Sequence, residues 1–258
     1  MLPTLFNFGT LIIYTYGTAL FAAIVAGWLT GLHLSNNAGL NKSNFKSFTL
    51  LTIISAILGA RLFYVILEWD IFAENPLLIF EIWQGGMVYY GGLIGAMASG
   101  FIFLRTLPHT EALTILDIAA PSVAIAHAVG RLGCFAAGCC YGSECTLPWA
   151  VTFTNLSSQA RLGVPLAPVQ LYEAAVNFLI FLFVFDWQKR RKHVEGVVFA
   201  GYLLIYPLFR FVLEFYRGDE RGGLWGLSTS QLFSIPLFLI GASLLIGFTN
   251  KALQKRTE

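Results

Sequence analysis

Seven apolar stretches occupy most of this chain, at roughly 11–32, 48–68, 86–104, 114–133, 171–186, 196–214 and 231–249. Crossing the hydrocarbon of a bilayer takes about 20 consecutive apolar residues in a helix. Residue types are 57% hydrophobic and only 12% charged. A soluble core could not hide that much apolar surface. The expected fold is therefore all-α: a polytopic membrane protein with seven transmembrane helices, forming a single integral membrane domain over residues 1–258. Two features blur the boundaries. Pro121 is expected to break the fourth stretch, and the fifth is short.

Charge sets the orientation, because cytoplasmic loops of membrane proteins are enriched in Lys and Arg. With the N-terminus outside and the C-terminus cytoplasmic, ten basic residues fall inside: Lys42, Lys46, Arg105, the run Lys189-Arg190-Arg191-Lys192, and Lys251, Lys255 and Arg256. Three fall outside, Arg161, Arg217 and Arg221, and three more (Arg61, Arg131, Arg210) lie within apolar stretches. The longest loop, about 134–170, is then extracytoplasmic. The first 41 residues contain no Lys or Arg, so no secretory signal peptide is expected. A net charge of +2 gives no reason to expect a nucleic-acid partner.

An arginine inside a membrane span is expensive and marks a functional site by default. Arg131 shares a helix face with His127, four residues earlier. A guanidinium clamps phosphate through two parallel charge-assisted hydrogen bonds, and a histidine one turn away is a candidate proton acceptor. The competing reading is a structural Arg–acid pair and a satisfied core histidine. Downstream, Tyr206, Arg210, Glu214 and Arg217 recur at i, i+4, i+8 and i+11, lining one face of an otherwise apolar helix. Lipid does not solvate such a stripe, so it faces a partner helix or a wet cavity.

Weaker signals surround these. The run Gly85-Gly86-Met-Val-Tyr89-Tyr90-Gly91-Gly92 opens the third stretch. Glycines at a helix start let backbone N–H groups approach an anion, and they equally permit tight helix packing. Arg61 follows Gly59-Ala60 on the second stretch, either in a site or snorkelling outward. Tyr16 reads as a belt aromatic or a site hydroxyl. Glu173, in Gln170-Leu-Tyr-Glu173, complements a helix N-terminus or neutralises an arginine. Cys134, Cys139, Cys140 and Cys145 have no standard zinc spacing. A disulfide, buried apolar thiols, and a redox or metal role all stay open.

Together these motifs resemble the prolipoprotein diacylglyceryl transferase family, from about Tyr14 to Ile246. The matching pieces are Tyr16-Gly17, Gly-Ala-Arg61, Gly-Gly-Met-Val-Tyr-Tyr-Gly-Gly-Leu-Ile-Gly95, Gly-Arg131-Leu-Gly-Cys-Phe, Gln-Leu-Tyr-Glu173, Arg210-Phe-Val-Leu-Glu-Phe-Tyr-Arg217 and Leu-Ser-Thr-Ser-Gln-Leu-Phe-Ser-Ile-Pro236. The resemblance implies a multi-pass protein of the bacterial cytoplasmic (inner) membrane. It implies transfer of the diacylglyceryl group of phosphatidylglycerol to the lipobox cysteine of a prolipoprotein signal peptide, releasing glycerol 1-phosphate. Arg131 and Arg210 match the family's essential arginines; Tyr16, Arg61, Tyr206, Glu214, Arg217 and Gly142 match other site positions. The chain departs from the best-known members at Tyr90, where they carry His, and at Cys134 and Cys139, where they carry Asn and an acid.

On this reading Arg131 and Arg210 hold the phosphate as charge grows on the leaving oxygen. His127 accepts the thiol's proton in place of the histidine missing at 90, Tyr90 or Tyr206 orients the headgroup, and Gly91 and Gly92 are further substrate-binding candidates. The partners are phosphatidylglycerol, the signal peptide and membrane lipids, and no metal or redox cofactor is required. Two other classes compete: a membrane thiol-redox or metal-handling protein built on the four cysteines, and a non-catalytic lipid-binding or transport protein.

Overall fold

A computed structural model describes residues 4–7, 12–82, 85–190, 194–219 and 222–257. Arg191, Lys192 and Arg221, counted above for orientation, lie outside the described residues. The helices are α1 (Thr15–Asn37), α2 (Lys42–Leu67), α3 (Trp69–Glu74), α4 (Tyr89–Arg105), α5 (His109–Ala137), α6 (Val169–Arg190), α7 (Val197–Leu213) and α8 (Thr229–Thr257). Short antiparallel pairs join β1 (Thr4–Asn7) to β2 (Ile12–Tyr14), β3 (Val151–Thr152) to β4 (Pro165–Leu166), and β5 (Gly223–Leu224) to β6 (Leu227–Ser228).

Each apolar stretch thus carries a helix, and six helices are long and apolar enough to cross a membrane: α1, α2, α5, α6, α7 with its terminal turn to Tyr216, and α8. The remaining one, α4, has 17 residues. Large apolar side chains on these helices point outward, among them Leu58, Leu62, Phe183 and Leu239, each more than half exposed. On a water-soluble protein such faces would be association patches; here they form the lipid-facing surface of a multi-pass membrane protein.

Two compact units are present: residues 1–38 with 116–258, and residues 39–115. In the second, α2 and α4 pack backbone to backbone. A Cβ added at Gly91 would collide with the carbonyl oxygen of Gly59, and one at Gly95 with that of Ser55. This is the small-residue contact that membrane helices use in place of hydrophobic driving force. The third apolar stretch becomes helical only at Tyr89, not 86, because Gly85 and Gly86 hold φ of +90° and +71°.

The first unit is built on α5, α6 and α7, which share a core of Ala120, Ala124, Ile180, Val184, Val198 and Tyr202. Pro121 does not break α5, which runs unbroken over 29 residues. Proline removes one backbone donor. Close packing at Ile118, Ala120 and Ala124, and a hydrogen bond from Ser122 Oγ to the Ile118 carbonyl (2.9 Å), hold the helix through it. Helix α6 has 22 residues, longer than the fifth apolar stretch. Its polar residues Gln170, Asn177 and Gln188 lower its hydropathy yet are buried against protein. The long loop is shorter than expected, because α5 extends to Ala137 and α6 begins at Val169, so Cys134 is helical.

Asp117, 1% exposed, fixes the start of α7. Its two carboxylate oxygens accept the N–H groups of Gly196 (2.7 Å) and Phe199 (2.8 Å). The first N–H groups of a helix have no partner within it, and that end is electropositive, so a carboxylate is favoured there.

Candidate functional site

At the other end of α7 three arginines from separate chain segments converge on one carboxylate. Glu173, one turn into α6, is 2% exposed. Its Oε2 lies 2.5 Å from Arg131 Nε, and its Oε1 lies 2.7 Å from Arg210 Nη1 and 3.3 Å from Arg217 Nη1. Arg210 also meets Glu214 Oε2 (2.6 Å) and donates to Ser230 Oγ at the start of α8 (2.8 Å). Arg217 forks onto Asp219 through Nε (2.8 Å) and Nη2 (2.7 Å). Three guanidiniums thus face three carboxylates. Burial pulls the Arg217 pKa down, but Asp219, Glu173 and Cys140 together raise it above the ordinary arginine value.

Local structure explains the convergence. His127, Arg131 and Cys134 follow one face of α5. Arg210 lies in the last turn of α7, and the 3-10 turn Glu214–Tyr216 redirects the chain. Arg217 is therefore off the helix that its spacing from Tyr206 implied. It is extended (φ −75°, ψ 145°) and bridged through its backbone to Gly142. Gly142 must be small, since a Cβ there would collide with the Ala167 carbonyl. Tyr16, at the start of α1, lies beside Arg131 and the cysteines.

The His127 ring packs 5.3 Å from that of Tyr206, which stacks on Tyr202 at 5.5 Å. His127 Nδ1 is buried with no hydrogen-bond partner among the described residues. A cavity of about 10 Å³ lies beside it, lined by His127, Arg131, Glu173, Asn177, Tyr206 and Arg210 among others. That is room for about one water. A phosphate fits only if Glu173 gives up part of its hold on the arginines.

Four of the sequence candidates belong to the second unit. Arg61 spends its donors on backbone carbonyls: Nε on Ile79 (3.0 Å), Nη1 on Gly85 (2.8 Å) and Gly86 (3.1 Å), and Nη2 on Leu78 and Glu81. It also lies over the rings of Tyr64 and Phe72. Gly91 and Gly92 face α2. Tyr90 is 44% exposed and meets Tyr89 edge-on.

Glu173, the hub, was legible in the sequence only as one of two alternatives; Asp219 and Ser230 were not singled out. The pair Arg217-Gly-Asp219 carried a signal, a short-range fork of opposite charges. Three of the four cysteines come together. The sulfurs of Cys134, Cys139 and Cys140 lie within 4.8 Å of one another, and no disulfide joins any of the four. Hydrogen bonding from Cys134 and Cys139, with Arg217 adding to it, holds the Cys140 thiol below the usual range.

These features define a multi-pass helical membrane protein with a buried, charge-balanced arginine cluster. The family model described as prolipoprotein diacylglyceryl transferase matches residues 3–247, and the chain belongs to that family. Among its relatives is the phosphatidylglycerol–prolipoprotein diacylglyceryl transferase of Clostridium tetani (strain Massachusetts / E88), 37% identical over 241 residues, 93% of this chain and 95% of that one. The enzyme named phosphatidylglycerol–prolipoprotein diacylglyceryl transferase 2 from Clostridium perfringens (strain 13 / Type A) is 36% identical over 95% of this chain and 94% of its own. That of Finegoldia magna (strain ATCC 29328 / DSM 20472 / WAL 2508) is 31% identical over 93% and 92%.

Proposed function

We propose that this protein moves the diacylglyceryl group of phosphatidylglycerol onto the lipobox cysteine of a prolipoprotein and releases glycerol 1-phosphate. One observation carries the reading: Arg131 and Arg210, from different helices, grip a single buried anion beside a cavity. Breaking the glyceryl C–O bond builds negative charge on the departing phosphate. Fixed guanidiniums aimed at that position stabilise the transition state more than the ground state. The lipid phosphate takes the place of Glu173 on Arg131 and Arg210, while Glu214 and Ser230 keep Arg210 aligned.

The acceptor thiol attacks as thiolate. His127, whose Nδ1 is buried without a hydrogen-bond partner among the described residues, receives its proton, and Tyr206 holds the imidazole face. Arg217 and Gly142 fix the loop over the site. Tyr16, beside Arg131, has a hydroxyl suited to the headgroup. Arg61, Gly91 and Gly92 contribute by holding the backbone around 78–92, which their contacts support.

The chain works as one integral domain of the bacterial inner membrane, N-terminus outside and C-terminus cytoplasmic. Helix α4 makes a seventh crossing; its 17 residues span about 25 Å at 1.5 Å each, close to the hydrocarbon thickness. The test uses purified protein in phosphatidylglycerol vesicles with a lipobox peptide. The peptide gains the diacylglyceryl mass, and its Cys→Ser version does not. Lipid binding without mass gain would overturn the transferase reading in favour of a lipid binder. Normal rates in Arg131→Ala and Arg210→Ala would overturn the phosphate clamp.

A further inference from the structure

We propose that Cys134, Cys139 and Cys140 bind one thiophilic d10 cation of the Zn2+ class as thiolates and leave its fourth position for the acceptor thiol. The first half stands on the sulfur geometry alone; the second rests on the transferase reading above. It departs from the sequence's expectation of a reaction without metal.

The three sulfurs come from the last turn of α5 and the two residues after Gly138, and they lie within 4.8 Å of one another. Zinc–sulfur bonds of about 2.3 Å in a tetrahedral site set sulfurs about 3.8 Å apart, so closure needs side-chain movements of about 1 Å. The backbone is bent to bring them together. The Cys139 N–H donates to the Cys134 carbonyl (3.1 Å), and Gln170 Nε2 donates to the Cys139 carbonyl (2.8 Å). Cys140 adopts φ +60°, which only one other non-glycine among the described residues shares. A side chain disfavours that conformation, and strain of this kind collects at ligand clamps. The C-x4-C-C spacing hid the site because it is the left-handed turn, not the spacing, that gathers the ligands.

Charge favours the complex. Three thiolates and a divalent cation leave one negative charge. The guanidinium of Arg131 interacts with Cys134 and Cys140, and that of Arg217 with Cys140. Cys145 is not part of the group. Catalytic zinc sites keep three protein ligands and one open position, and a thiol that coordinates a metal does so deprotonated. The residues that would hold the cation are Cys134, Cys139 and Cys140, and a bound cation would keep the acceptor sulfur in its thiolate form. The acceptor thiol would give up its proton to His127 before it reaches the cation, and the thiolate would form the S–C bond to the glyceryl carbon as the C–O bond breaks, with that electron pair leaving on the phosphate held by Arg131 and Arg210. No oxidation state changes.

The test is metal uptake by the full-length protein in detergent. Zn2+ is measured by mass spectrometry after dialysis, and Co2+ substitution reports thiolate ligation through its sulfur-to-metal charge-transfer band. About one ion per chain is expected, lost in Cys134→Ser/Cys139→Ser/Cys140→Ser and retained in Cys145→Ser. Adding the lipobox peptide should shift the Co2+ spectrum, and its Cys→Ser version should not. A chain without stoichiometric metal, uptake that survives the triple substitution, or a spectrum indifferent to the peptide thiol would each overturn the proposal. Diacylglyceryl transfer is assayed separately on the same preparations. Metal binding without transfer would sink the transferase reading while leaving the three-thiolate ligation standing.

Discussion

Replacing Glu173 by Gln keeps the side chain's shape and removes its charge. Arg131, Arg210 and Arg217 would then face two carboxylates instead of three. Removing one partner of a buried ion pair costs about 3–5 kcal/mol, because the other charge is left uncompensated. Gln keeps one acceptor oxygen, so the lower end applies: about 3 kcal/mol, roughly a hundredfold in the folding equilibrium. Anion affinity should move the opposite way. In the native protein an incoming phosphate has to break charge-assisted contacts of Glu173 at 2.5 and 2.7 Å. A hydrogen bond to a charged group is worth about 1.5–3 kcal/mol. Sparing the ligand one such contact predicts glycerol 1-phosphate binding roughly 10- to 100-fold tighter at low salt. Chemical unfolding in detergent and calorimetric titration of glycerol 1-phosphate read the two effects. Unchanged stability together with equal or weaker phosphate affinity would refute the idea that Glu173 occupies the anion's position.

Arg131→Lys and Arg210→Lys keep the charge but lose the fork, and transfer to a lipobox peptide should fall roughly 100- to 1,000-fold, the usual effect of losing a donor to developing charge. Asp117→Ala leaves the start of α7 uncapped and should destabilise the protein by about 1–2 kcal/mol, with faster amide exchange at Gly196 and Phe199. Gly91→Ala drives a methyl into the Gly59 carbonyl and should cost about 1–3 kcal/mol by overpacking; Gly247→Ala, with open space around it, should be neutral or stabilising in the same thermal assay.

Much of the architecture was legible because lipid demands long apolar helices, and those runs read directly from composition. The face of His127 and Arg131 was legible too, since helical spacing is a local property. What escaped was long-range. Asp117 reaches Gly196 across 79 positions, and nothing local distinguishes it from an acid at a helix start. The same glycine run that resembles an anion cradle, Gly91-Gly92, faces α2, and sequence alone cannot separate backbone approaching ligand from backbone approaching backbone. Arg61 looked like its two intramembrane counterparts, yet carbonyls of residues 78–86 occupy its donors. Arg217 reaches Glu173 for a reason the helical wheel did not contain, the 3-10 turn that ends the helix early.

The capped end of α7 has a consequence for depth. One terminus of this helix is pinned to α5 by Asp117 and the other is pinned to α5 and α6 through Arg210, Glu173 and Arg131. This helix of 17 residues therefore acts as a ruler. A thicker or thinner bilayer can tilt these helices together or deform around them. It cannot slide the guanidiniums vertically past one another, so their mutual spacing is a property of the polypeptide, insulated from the lipid composition around it.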